Sequence, residues 1–229
     1  MITNAPVLIV LIPLATALLT PLISYLVPKL MRYLAPLALG TVTLLSGYNL
    51  YHVVNHGAWH YHFGGWTPPF GIEFVIDPLS ATIAVVVGLV ATLVIIFAKS
   101  YLPEERENLL KFSLFYVLFL LVATGIFGIT LAGDIFTLYV FIEIASIAAY
   151  GLLAMGGYKA AVSSFRYVLI GTVGASFYLL AVAFIYANTG SLNMADLSTL
   201  LPPLLTDRTM IFAIAMLVAG LGIKSALWP

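Results

Sequence analysis

Seven apolar stretches, each about as long as a lipid bilayer is thick, leave this chain of 229 residues few ways to fold. A helix needs about 20 mainly apolar residues to cross a hydrocarbon core of about 30 Å. The stretches run roughly over 6–27, 33–54, 78–98, 112–132, 135–155, 167–187 and 210–228. Only 8% of the residues are charged and 62% are hydrophobic, whereas a soluble domain carries about 25% charged residues. Such a chain cannot cover a water-facing surface. It also lacks the alternating ten-residue segments of a membrane β-barrel. The expected class is an all-α integral membrane protein of about seven transmembrane helices, with residues 1–229 forming a single membrane domain. Prolines at positions 13 and 21 are expected to kink the first span, which neighbouring helices can tolerate.

The same counts exclude several chemistries. The chain has no cysteine, so disulfides, thiolate metal sites and iron–sulfur ligation are out. A formal net charge of zero gives no electrostatic footprint for nucleic acid. The opening "MITNAPVLIVLIPL" has no basic n-region and an apolar run too long for a cleaved signal peptide, so it reads as a retained first span.

Direction follows from the basic residues. Lys29, Arg32, Lys99, Arg106, Lys111, Lys159 and Arg166 flank one set of span ends, and Arg208 alone flanks the other. The positive-inside rule then puts the N-terminus outside. The first outer loop holds Trp59, Tyr61 and Trp66, aromatics suited to the headgroup layer. The four histidines, His52, His56, His60 and His62, lie at or beside it. A histidine-only cluster without an acidic or thiol partner is a weak metal signal, so the expectation is hydrogen-bonding histidines and no metal. The second outer loop contains a stretch expected to form a short surface helix before Pro202. The inner loop "PEERENLLK" reads as a solvated turn.

Ionisable residues inside spans are functional candidates, because each costs about 2.5–3.5 kcal/mol on insertion scales. Two stand out. Glu143 lies nine residues after Asp134, about 13–14 Å along a helix and so close to mid-membrane. Tyr139, Glu143, Ser146 and Tyr150 recur at steps of four, three and four residues and share one helix face. Such a stripe can hold water or pass protons between hydroxyls. The alternative, hydroxyls that bond across helices, explains Tyr and Ser but not a mid-depth carboxylate. Lys224 lies well inside the last span, with Gly220 and Gly222 before it and Pro229 after it. A proline removes a helix hydrogen bond and clashes with the preceding turn, and glycines weaken a helix. A helix break there would let the ammonium meet water, a freed carbonyl or a carboxylate. Ser225, beside the lysine, is a further candidate for a water path. At about 4 Å and an effective dielectric of about 20, a carboxylate contributes about 4 kcal/mol to a neighbouring ammonium. Moving that partner is therefore enough to load or release a proton.

The blocks "FGGWTPPFGIEFVIDPLSA", "DIFTLYVFIEIASIAAYGLLA", "GSLNMADLS" and "GIKSALWP" resemble those of the antiporter-like subunits of respiratory complex I, membrane-bound hydrogenases and Mrp-type sodium/proton antiporters. The wording is most similar to the Mrp D subunit and the corresponding hydrogenase or sulfur-reductase subunit. The resemblance implies a fourteen-helix fold with two inverted repeats, of which this chain is the first part. Residues 1–110 would be three leading helices, and 111–229 an incomplete first repeat ending at the broken seventh helix. It implies a subunit that moves protons, or exchanges them for sodium, with Lys224 as the proton carrier and Glu143 as the glutamate that tunes it. It also implies a multi-subunit complex in a prokaryotic cytoplasmic membrane, without a cofactor in this subunit. Its partners there would be other membrane-arm subunits and a peripheral electron-transfer arm. The family pattern continues beyond the position of Pro229, so further chain or a separate polypeptide is expected to complete it. Two other classes compete with this reading. In a retinal-binding protein a seventh-helix lysine needs a third-helix counter-ion, but span 78–98 has no acid. A non-conducting scaffold for a hydrogenase or dehydrogenase arm would not need the intact Glu143 and Lys224.

Overall fold

The computed structural model describes residues 4–99 and 109–227. The apolar stretches become helices α1 (Ala5–Leu26), α2 (Pro28–His56), α3 (Pro78–Ala98), α4 (Leu109–Leu131), α5 (Ile135–Ala154) and α6 (Tyr158–Thr189). Among the described residues these six are long and apolar enough to cross a membrane. The expected seventh span is α8 (Arg208–Lys224), of 17 residues, preceded by the short α7 (Met194–Leu200), which is the surface helix expected before Pro202. The solvated turn read from "PEERENLLK" lies largely outside the described residues, as do Trp228 and Pro229.

Local chemistry sets the helix ends. Only Val27 separates α1 from α2, because Pro28 needs no helical N–H donor at the first position. Lys29 and Arg32 therefore lie in the first turns of α2, not in a loop. Asp77 caps α3 by accepting from the Ser80 amide at 2.6 Å, and Ser80 Oγ accepts from the Asp77 amide in return. Asp134 caps α5 by accepting from the amides of Phe136 and Thr137. Both caps satisfy amides that no helix bond can reach.

The helices pack in a continuous series in which α2 touches α3 and α1, α1 touches α4, α4 touches α5, α5 touches α6, and α6 touches α8. Short connections make α1 and α2, α4 and α5, and α5 and α6 antiparallel neighbours. One buried cluster joins α1–α4 around Ile9, Leu39, Phe112, Tyr116 and Phe127. A second joins α5, α6, α7 and α8 around Tyr178, Ile185 and Met210.

The first long loop differs from its sequence reading as a loop of turns and aromatics. It forms an antiparallel hairpin, β1 (Trp59–His62) with β2 (Glu73–Ile76), in the register Trp59↔Ile76 to His62↔Glu73. Trp59 and Tyr61 pack against the first core cluster, whereas Trp66 is exposed. The expectation that no acid accompanies the histidines is also corrected. Glu73 is buried, with one carboxylate oxygen 3.1 Å from His60 Nδ1 and 3.3 Å from His62 Nε2. Its other oxygen accepts from Asn193 Nδ2 at 2.5 Å. The cross-strand partnership of His62 and Glu73 and the closeness of residue 193 depend on folding, so composition near the histidines could not reveal them. Gly133 donates its amide to the Glu73 carbonyl, and Met194 donates to the Gly133 carbonyl. This knot joins the hairpin, the α4–α5 turn and the segment before α7, and thereby fixes the start of α5. Asn193→Ala should leave the buried carboxylate short of a donor and cost about 1–3 kcal/mol. Heat unfolding of the detergent-purified protein measures that loss.

Candidate functional site

The site sits where α5 and the end of α8 meet. Asp134 sets the start of α5, which carries Tyr139, Glu143, Ser146 and Tyr150 along one face. Helix α8 presents Lys224 as its last residue. Lys224 Nζ lies 2.5 Å from Glu143 Oε1, with the lysine side chain 9% exposed and the glutamate 22%. The ammonium also reaches Ser146 Oγ at 3.5 Å. Ser146 and Tyr150 follow one helical turn apart on α5 and line one cavity with Lys224, and the Tyr150 ring meets Tyr167 of α6 edge-on at 4.8 Å. A row of exchangeable protons thus runs Glu143, Lys224, Ser146, Tyr150.

Two cavities border this row. One, of about 230 Å³, is lined by Ser146, Tyr150, Tyr167, Gly171, Ile223 and Lys224 among others. The second, of about 580 Å³, is lined by Glu143, Tyr150, Ser164 and Thr172 among others. Tyr150 belongs to both, and each cavity exceeds the roughly 30 Å³ that one water occupies in the liquid. The Tyr150 backbone carbonyl accepts from Ser164 Oγ at 2.6 Å. Its phenol fills the space beside Gly171, where any Cβ would overlap it.

The remaining candidates are placed differently. Tyr139 stacks on Tyr178 with centroids 5.7 Å apart and packs against the second core cluster. Ser225 Oγ donates to the Gly222 carbonyl at 3.3 Å and is exposed, so it serves the end of α8. Helix α8 runs unbroken through Gly220 and Gly222 and stops after Lys224. There the Leu227 amide donates to the Gly222 carbonyl and the Ala226 amide to the Ile223 carbonyl. Ala226 has φ +53°. This is the Schellman closure of a helix end. The helix therefore ends on its own hydrogen bonds, whereas the sequence reading relied on Pro229, which lies outside the described residues. Gly220 marks where α8 crosses α6, since a Cβ there would stand 2.7 Å from the Tyr178 amide nitrogen and 2.8 Å from the Gly174 carbonyl.

Sequence reasoning missed Tyr167, Gly171 and Ser164. The signal available was the pair of small residues Gly171 and Ala175 at i,i+4 on α6, a spacing that admits close neighbours in a membrane.

Comparisons with known proteins agree with this architecture. Residues 64–113 match the family model described as NADH-Ubiquinone oxidoreductase (complex I), chain 5 N-terminus. Residues 132–229 match the one described as NADH:quinone oxidoreductase/Mrp antiporter, TM. The chain is 45% identical to NADH-quinone oxidoreductase subunit N of Desulforudis audaxviator, over 100% of this chain and 46% of that one. It is 31% identical to the D subunit of the Na(+)/H(+) antiporter of Bacillus subtilis, over 99% of this chain and 45% of that one. The fold superposes on a chain of the archaeal membrane-bound sulfane sulfur reductase complex with a TM-score of 0.86 and 30% identity, covering 95% of this chain and 44% of that one. The chain thus spans a little under half the length of the relatives it matches. With both family models matching in order along a multi-pass helical membrane fold, this chain belongs to the family of antiporter-like membrane subunits shared by NADH:quinone oxidoreductases and Mrp antiporters.

Proposed function

We propose that this chain is the proton-handling part of an ion-translocating membrane subunit, with Lys224 as the proton carrier and Glu143 as the group that tunes it. The observation that carries this reading is the Glu143–Lys224 pair, largely buried in a membrane domain and bordered by two cavities. A buried pair gains little net stability over apolar packing, so its presence at mid-membrane favours a role in moving charge. When Lys224 leans toward Glu143, the carboxylate holds its proton. When the two separate, that support falls by kilocalories, and the ammonium can release its proton to Ser146 and the water that the smaller cavity admits. Tyr150 spans both cavities and is the candidate gate between them, while Tyr139 serves as packing beside the path.

Residues 111–229 hold all of these groups, and residues 1–110 act as the supporting leading helices. The subunit works within a multi-subunit complex of a prokaryotic cell membrane, beside other membrane-arm subunits. Its relatives are a subunit of an NADH-quinone oxidoreductase and a subunit of a Na(+)/H(+) antiporter. A peripheral electron-transfer arm is accordingly the expected source of drive in the first setting, and a sodium gradient in the second.

The test uses the full-length protein in its complex, reconstituted into vesicles. Glu143→Gln keeps the shape and removes the charge. Proton movement is expected to fall about tenfold or more, since one support of about 4 kcal/mol is withdrawn, while assembly is retained. Unchanged proton and sodium movement with an intact complex would leave the pair a structural clamp.

A further inference from the structure

On the face of α2 and α3 away from Glu143 and Lys224, an apolar groove of about 450 Å³ opens between the two helices. Pro36, Leu37, Thr41 and Leu44 line one wall, Leu89 and Leu93 the other, and Thr43 and Thr92 bond to each other at 3.2 Å. On α2, Lys29, Tyr33, Leu37, Thr41 and Leu44 follow at steps of four, four, four and three residues, so they form one line along the helix. Toward the basic end that line leaves the groove and reaches Tyr33, over whose ring Lys99 Nζ sits at 4.4 Å. One turn further lies Lys29, which is exposed. Neither α2 nor α3 contains an acidic residue.

The lengths agree with one leaflet of a bilayer. From Lys29 to Leu44 is 15 residues, about 22 Å of helix. Half of a hydrocarbon core of about 30 Å, with its headgroup layer, measures about 20–22 Å. We propose that this groove is a binding site for one anionic phospholipid, with an acyl chain along Leu37–Leu44 and the phosphate between Lys29 and Lys99. Tyr33 holds the Lys99 ammonium in place by its ring face and stands at the depth where amphipathic aromatics settle. A zwitterionic lipid fits the groove equally well but gains less at its mouth, so charge selectivity distinguishes a built site from ordinary solvation by lipid. A helix of another subunit is the competing occupant, and the cross-linking arm of the test distinguishes it.

The experiment is native mass spectrometry of the full-length protein in its complex, delipidated in mild detergent. It is then titrated with phosphatidylglycerol or phosphatidylcholine carrying the same acyl chains. One phosphatidylglycerol per chain should bind at least about tenfold better than phosphatidylcholine. Lys29→Ala and Lys99→Ala should each remove about fivefold of that preference. Thr41→Trp, which narrows the groove from an exposed position, should lower retention of both lipids. Equal binding of the two lipids by the unaltered protein would overturn the proposal, as would retention that none of these variants changes. A disulfide or chemical cross-link from Thr41→Cys to another polypeptide would also overturn it, because a partner helix would then occupy the groove.

Discussion

Lys224→Arg in the full-length protein is expected to leave the complex assembled and to stop proton movement. The guanidinium keeps a positive charge beside Glu143 and can pair with it in two-point fashion. The adjoining cavity of about 230 Å³ offers room for the larger group. Arginine does not release its proton in proteins, so a carrier becomes a fixed charge. Stability should therefore fall by no more than about 1–3 kcal/mol, while proton movement should fall by about a hundredfold or more. Lys224→Ala is the harsher change, because it leaves a partly buried carboxylate without its cation, and breaking a buried pair costs about 3–5 kcal/mol. Adding Glu143→Gln to Lys224→Ala should recover most of that stability and none of the transport. Ion fluxes in vesicles and unfolding temperatures, measured on the same preparations, separate the two effects. Proton movement that survives Lys224→Arg would remove Lys224 from the carrier role.

The second large effect concerns the crossing of α6 and α8. Gly220→Ala should destabilise the protein by about 1–3 kcal/mol, although alanine is the better helix former. The new Cβ would meet the Tyr178 amide nitrogen and the Gly174 carbonyl, backbone atoms that cannot swing aside. Helix α8 would have to move away from α6, taking Lys224 off Glu143, so transport should fall along with stability. Gly222→Ala is the control. Its Cβ would meet only Leu227, at 3.8 Å, an ordinary contact, and the gain in helix propensity of about 0.5–1 kcal/mol should make it neutral or stabilising. If both glycines served to weaken α8 before the lysine, the two changes would act alike. Opposite signs in the unfolding temperature identify Gly220 as a packing residue.

The membrane class, the helices and many of their ends were legible from the chain alone. The hydrophobic effect and backbone satisfaction in lipid leave long apolar runs little choice, and Asp77 and Asp134 act on amides within three residues. Glu143 and Lys224 were legible for the same reason, since a charge in an apolar run is visible without coordinates. Their pairing was implied by the family resemblance and not by spacing: residues 143 and 224 belong to different helices, and only the packing of α5 and α8 on α6 brings them to 2.5 Å. The hairpin was hidden too, because its strands are four residues each and their register comes from pairing across a loop, not from a repeat within either strand. Glu73 gives the clearest division. The sequence reading gave the histidines no acidic partner, while the fold buried Glu73 against His60 and His62 and against Asn193, 120 positions away. Local periodicity and composition determined what each segment is. Which segments touch was decided by close backbone approach and long-range hydrogen bonds, which no window along the chain contains.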